Sequence, residues 1–159
     1  MHDSALSTAE RRFLAELDAR GVRYLVVGMS AALLQGARGS TEDVDLWFED
    51  VTDPRLAEAV RAAGGIWISG SFGMGPPRIG GEELSERFDV VLHMSGLEGF
   101  DREYASRHHE DVDGLRLPVL PLERILHSKR TAARPKDLAA IPAIELAIAL
   151  LERGDPVEE

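Results

Sequence analysis

Two aspartates one residue apart are the sharpest chemical feature of the sequence. They stand in the run Asp43-Val44-Asp45-Leu46-Trp47-Phe48, whose composition reads as a β-strand. Side chains alternate faces along a strand, so Asp43 and Asp45 share one face while Val44, Leu46 and Phe48 share the other. Two carboxylates one pleat apart repel each other unless something positive lies between them. A hard cation meets that need, because magnesium takes oxygen ligands and completes its shell with water or substrate phosphates. A solvated strand edge with two charges on its wet face fits the same pattern.

Two further pieces bear on that reading. The apolar run Tyr24-Leu25-Val26-Val27 ends at Gly28, and a short helix follows through Ala31, Ala32, Leu33 and Leu34. A glycine there lets the backbone approach a phosphate, the helix start offers N–H groups, and Ser30 adds a hydroxyl. A plain strand-to-helix turn also uses glycine. The second piece is Asp89, one carboxylate in the otherwise apolar run Phe88-Asp89-Val90-Val91. A buried carboxylate needs a partner or a metal; a strand-edge position or a pair with Arg87 are the alternatives.

The elements that must position these residues follow from periodicity and stop signals. Ser7-Thr8-Ala9-Glu10 is a capping box, Phe13, Leu14 and Leu17 follow at helical spacing, and Gly21 ends the helix. Strands are expected over 23–27, 44–48, 66–68 and 87–93. Asp53-Pro54 opens a helix carrying Leu56, Ala59, Val60 and Ala63. Residues 69–85, with glycines at 70, 73, 75, 80 and 81, read as one long connection. A short helix is expected over 100–107 and a small hairpin over 112–117 around Asp113-Gly114. Pro121 opens a helix with Leu122, Ile125 and Leu126, and a last helical stretch covers 137–153, with Pro142 as a kink or restart. The pattern is α/β (α+β): a small mixed sheet flanked by helices, finishing in a helical segment at about 121–153. No linker divides the chain, so 1–159 reads as a single domain.

Composition narrows the function classes. A chain of 159 residues buries a real core without staples. It has no cysteine, which excludes disulfides and thiolate metal sites. Residues 1–4 lack the blocks of a signal peptide and no apolar run spans a bilayer, so a cytoplasmic protein without a membrane partner is expected. The net charge of −10 argues against a broad nucleic-acid surface but leaves room for a local basic pocket. The acidic tail 155–159 is expected to fray. His108-His109-Glu110-Asp111 reads as solvated surface, because adjacent histidines diverge, and Trp47 and Trp67 read as core.

Taken together, the motifs resemble the DNA polymerase β nucleotidyltransferase superfamily. Its signature is an apolar strand, a Gly-Gly or Gly-Ser turn, an Asp-x-Asp pair about a dozen residues on, and a third Asp on a later strand. Here Leu25-Val26-Val27-Gly28-Met29-Ser30 precedes Arg38-Gly39-Ser40-Thr41-Glu42-Asp43-Val44-Asp45, and Asp89 matches the third acid. The segment Leu120-Pro121-Leu122-Glu123-Arg124-Ile125-Leu126-His127-Ser128-Lys129, continued by Arg134-Pro135-Lys136-Asp137-Leu138, is similar to small bacterial nucleotidyltransferase-like proteins, including AbiEii-type toxin relatives and the DUF6036 group. The likeness runs from about residue 13 to about 146.

The resemblance implies a nucleotidyltransferase fold and a magnesium-dependent transferase, with two ions. It would move a nucleoside monophosphate from ATP or another triphosphate to a hydroxyl on RNA, a protein or a small molecule; toxin–antitoxin membership is implied as well. Asp43 and Asp45 would hold magnesium on the triphosphate. Asp89 would join a second ion and promote deprotonation of the attacking hydroxyl. Gly28, Ser30 and Lys129 would contact the phosphates, Arg134 and Lys136 would form a basic rim, Arg38 and Thr41 would brace the Asp loop, and Asp137 reads as an N-cap. Two departures stand out: Met29 replaces the second Gly or Ser, and Asp89 comes late after Gly75-Pro76-Pro77-Arg78-Ile79-Gly80, as though residues had been inserted.

Those departures favour a competing reading, a binding or regulatory protein that keeps the fold without turnover. An Asp-x-Asp phosphatase fits less well, because Gly39-Ser40-Thr41-Glu42 rather than an apolar strand precedes Asp43. A glycosyltransferase would need a larger domain. Finally, Ile144 and the apolar run 146–151 surround most of the last helix. A second copy, a cognate partner, or the preceding helix and sheet would cover it.

Overall fold

The computed structural model describes residues 6–70 and 75–154. The N-terminal residues 1–4, Gly73 and the tail 155–159 lie outside them. Helix α1 (Thr8–Ala19) starts on the expected capping box: the Ser7 hydroxyl accepts the Glu10 N–H and the Glu10 carboxylate accepts the Ser7 N–H, each at 3.1 Å. Strand β1 (Tyr24–Val27) is buried throughout and runs straight into α2 (Gly28–Leu34). Strand β2 (Val44–Phe48) follows, then α3 (Pro54–Ala62), capped by Asp53 with proline in its first turn. Next comes β3 (Ile66–Ile68).

The described part of the segment expected to be one long connection carries two elements from Arg78 onward. Strand β4 (Arg78–Gly80) pairs antiparallel with β3, and α4 (Glu82–Arg87) passes without a loop into β5 (Phe88–Val91). Glycines and prolines masked this in the sequence. Ile79 and Leu84, 3% and 2% exposed, supply the burial that fixes both elements. A Cβ at Gly65 would stand 3.0 Å from the Gly80 carbonyl, so glycine lets the two segments approach.

Helix α5 (Phe100–Ala105) leads to β6 (His108–Val112) and β7 (Leu115–Val119). The hairpin is longer than expected and turns where Asp113 and Gly114 both take positive φ, 51° and 82°. The chain ends in α6 (Leu122–Ala132) and α7 (Pro135–Glu152). Pro142 neither ends nor restarts α7, which remains one helix through it.

The larger sheet has five strands in the order β5-β2-β1-β7-β6. It is mixed: β1–β2 and β6–β7 are antiparallel, β1–β7 and β2–β5 parallel. Helix α1 packs on α3 and α4, and α6 packs on α7 and α2. Leu25, Val26, Leu46, Leu120 and Ile125 are fully buried in the core they share. Among the described residues no helix is long and apolar enough to cross a membrane.

Candidate active site

Strand β2 lies between β1 and β5, with Asp45 in register with Val27 on one side and Asp89 on the other. Register partners on adjacent strands point to the same face of a sheet, so Asp45 and Asp89 project together. Asp43, one pleat upstream on the approach to β2, joins them: all three line a cavity of about 730 Å³ that also includes Gly28 and Lys129. The Asp43 side chain stands close enough to Asp89 to act on its carboxyl group.

The end of β1 shapes one wall. Gly28 turns the chain at φ +63°, and a Cβ there would stand 2.6 Å from Asp45 Oδ2. Only glycine combines that conformation with that approach. The Ser30 hydroxyl, 5% exposed, donates to the Val27 carbonyl at 2.8 Å and accepts the Asp45 N–H at 3.1 Å. It thus ties β1, α2 and β2 together at the level of Asp45, and its hydroxyl is engaged by the backbone. Met29, in the place of the second small residue, lines the cavity and packs its methyl group against Gly39.

The loop before Asp43 is held twice. Thr41 accepts the Asp43 N–H through its hydroxyl at 3.3 Å, the turn role open to it. Arg87 donates to the Glu42 carbonyl at 3.1 Å.

Charge is divided across the cavity. Burial, followed by the charges of Asp89 and Asp43, pushes the Asp45 carboxyl up to about 6, against the pull of Lys129 and Lys136. Asp89 is raised too, first by the partial desolvation of its carboxyl group and then by the nearby Asp43 side chain. The face shared by the acids is wet at one end only: Asp43 and Asp89 are exposed, Asp45 is half-buried, and Trp47 beyond it is 8% exposed, edge-on to Phe100 at 5.4 Å. Of the alternatives open to Asp89, the structure shows the strand-edge one, on the edge strand β5.

Helices α6 and α7 form the opposite wall. Ile125, Ser128, Lys129 and Ala132 line the cavity at helical spacing along one face of α6. Lys129 Nζ donates to Asp137 Oδ1 at 3.2 Å. Asp137, 1% exposed, also accepts the Arg134 N–H at 3.2 Å and the Arg134 Nε at 2.6 Å. Burial acts to raise its pKa, but the bonds from Arg134 and Lys129 prevail and hold it below the usual range. Asp137 is the third residue of α7, not its N-cap; that position is Arg134, whose N–H it receives. Arg134 and Lys136 both line the cavity, while Arg38 is exposed and lines a separate one with His108.

Sequence reasoning did not single out His93, Met94 and Ser95, which line the cavity beyond β5. Nothing in their types or spacing marked them. The run from His108 to Asp111 lies on the edge strand β6.

The acids are hard oxygen donors, and burial and mutual repulsion disfavour their shared negative charge, a cost a cation would offset. Their chemistry fits magnesium. As they stand, though, no three His, Asp or Glu side chains among the described residues form a ready-made metal cluster.

No protein-family model matches the chain, and no curated protein does. Solved structures do. The antibiotic-resistance factor ANT(2'')-Ia is similar with a TM-score of 0.61 and 19% identity, over 91% of this chain and 83% of that one. The lincosamide antibiotic adenylyltransferase LnuA, with lincomycin bound, follows at 0.58 and 13%, over 90% and 98%. A nucleotidyltransferase-like protein from Paracoccidioides brasiliensis stands at 0.56 and 20%, over 92% and 78%. The fold is therefore that of the nucleotidyltransferases.

Proposed function

We propose that the chain is a magnesium-dependent nucleotidyltransferase that moves a nucleoside monophosphate from a triphosphate to a hydroxyl acceptor. The observation that carries this reading is the divided cavity, with Asp43, Asp45 and Asp89 on one wall and Lys129, Arg134 and Lys136 on the other. A triphosphate between such walls meets cations on one side and carboxylates on the other. On that second side Asp43, Asp45 and Asp89 would hold two magnesium ions, whose charge would neutralise that of the phosphates.

Asp43 and Asp45 would hold the ion that grips the triphosphate, and Asp89 would complete the second site. The Gly28 backbone would approach the leaving phosphates and Lys129 would contact them. Ser30 would act through its backbone and by holding Asp45 in place. The acceptor oxygen attacks the α-phosphorus, the bond to the bridging oxygen of pyrophosphate breaks, and the hydroxyl proton passes to Asp89.

The test offers each of the four α-labelled triphosphates with magnesium, and ATP is the first to try. Acceptors are cell RNA, cell protein, tobramycin and lincomycin. The two antibiotics enter because structural neighbours carry adenylylated tobramycin or bound lincomycin. RNA and protein enter because the C-terminal motifs resemble toxin–antitoxin proteins. Transfer to none of them would favour the second reading, a binding protein of the same fold without turnover. Met29 in the Gly28 turn and the late position of Asp89 support that alternative. On either reading the exposed side of α7 is the surface offered to a second copy or a cognate partner. The chain as a whole, 1–159, would act as one domain.

A further inference from the structure

Arg87 closes α4, and Phe88 opens β5 directly after it. Both side chains dock on one face of α1. Phe88, 2% exposed, meets Phe13 edge-on with ring centroids 5.1 Å apart. Arg87 Nε donates to Glu10 Oε1 at 3.2 Å while Nη1 donates to the Glu42 carbonyl at 3.1 Å. Glu10 is itself fixed, 7% exposed and held in the α1 capping box. A guanidinium is planar, so binding one nitrogen to Glu10 sets the direction of the other.

The parallel pairing of β2 with β5 ends at Val44 opposite Phe88. Beyond that pair the Arg87 side chain supplies the next link between the two segments. On one segment Asp43 follows Glu42, and on the other Asp89 lies two residues past Arg87. The elements that delay Asp89 in the sequence, β4 and α4, thus end in the residue that ties its strand to the Asp43 loop.

We infer that Arg87, oriented by Glu10, is a positioning residue that sets the separation of the Asp43 and Asp89 carboxylates and so the grip of the site on a divalent cation. The inference rests on the metal role proposed for these acids. Lysine at 87 keeps the charge opposite Glu10 but lacks the fork that reaches Glu42. Glutamine at 10 keeps the capping box and removes the charge that aims the fork.

Calorimetric titration of the full chain with Mn²⁺ alone, alongside thermal melts, tests this in wild type, Arg87→Lys, Glu10→Gln, Asp45→Asn and Glu103→Gln. The last variant breaks a comparable ion pair that does not line the cavity, Arg124 to Glu103 at 2.8 Å. Groups that orient metal ligands typically change affinity about ten- to hundredfold. That loss is expected for Arg87→Lys, with a smaller loss for Glu10→Gln. Glu103→Gln should lower the melting midpoint and leave Mn²⁺ affinity unchanged. Wild-type affinity in both Arg87→Lys and Glu10→Gln, with binding lost in Asp45→Asn, would overturn the inference and leave the metal role intact. A wild-type chain with no saturable Mn²⁺ binding would overturn both.

Discussion

Asp45 and Asp89 are register partners in the parallel β2–β5 pair, with Val27 in register on the other side of Asp45. Two acids are therefore fixed to one face of the sheet by backbone pairing, at the point where β1 ends in the Gly28 turn. The backbone sets where the charges stand. The side chains that surround them set how costly the charges are.

Asp45→Asn is expected to abolish magnesium-dependent binding of ATP and GTP while the chain stays folded. The substitution removes a half-buried, repelled charge, so core packing is not lost. Calorimetry with and without magnesium reads the binding and circular dichroism the fold. Binding by the wild type that is equal with and without magnesium would contradict the metal role.

The same carboxylate predicts a pH dependence. Asp45 is raised from 3.8 to about 6, so the folded chain holds its proton more tightly than the unfolded chain does. Its contribution to stability is complete below the unfolded value and is lost as pH rises through about 6. In metal-free buffer, wild type should lose melting temperature relative to Asp45→Asn between pH 4 and pH 6.5, and magnesium should restore part of it at the upper end. Parallel melting curves for the two proteins across that window would refute the assignment.

Gly28→Ala tests the turn. An L-residue at φ +63° costs about 1–2 kcal/mol. The new methyl group would also press on Asp45 Oδ2, the movable end of a side chain, so much of the damage falls on the site. Denaturant unfolding should show the modest loss, and triphosphate affinity should fall by more than that loss accounts for. Unchanged affinity in a folded Gly28→Ala would remove Gly28 from the phosphate wall.

Much of this site was legible because it depends on short-range rules. Strand parity placed Asp43 and Asp45 together, and the capping box and the Asp113-Gly114 turn marked their elements correctly. What was hidden depends on contacts distant in sequence. Strand β4 and helix α4 rest on Ile79 and Leu84 inside a glycine-rich stretch. The hydroxyl of Ser30 was free to read as a phosphate ligand until the neighbouring strand showed it bonded to Asp45 N–H. The partial burial of Asp45, and the choice between a buried and a strand-edge Asp89, were not legible, because strand order and the elements covering a strand cannot be read from its own alternation.

Lys129→Met should raise the KM for the triphosphate with little change in fold. A hydrogen bond to a charged group contributes ~1.5–3 kcal/mol, equivalent to a KM rise of about ten- to hundredfold. Asp137 would keep its bonds from Arg134. An unaltered KM in steady-state kinetics would reduce Lys129 to a structural partner of Asp137.

The last prediction concerns α7. Ile144 and Ala147 are buried at 0% and 2%, whereas Leu138 and Leu146 stand 51% and 47% exposed. With Pro142 and Ala149, also exposed, they form one stripe at helical spacing. The preceding helix and the rest of the fold thus cover only one side of α7. Charges flank the stripe, among them the exposed Arg130–Glu145 pair and Lys136 near the helix start. Two antiparallel copies of α7 would bring the Lys136 end of one against Glu152 of the other, which favours a second copy as the occupant. Sedimentation at micromolar concentration should show a dimer. Leu146→Lys should return it to monomer with little change in stability, since exposed positions usually shift it by less than about 0.5 kcal/mol. A wild type that sediments as a monomer throughout that range would mean the stripe does not join copies of this chain.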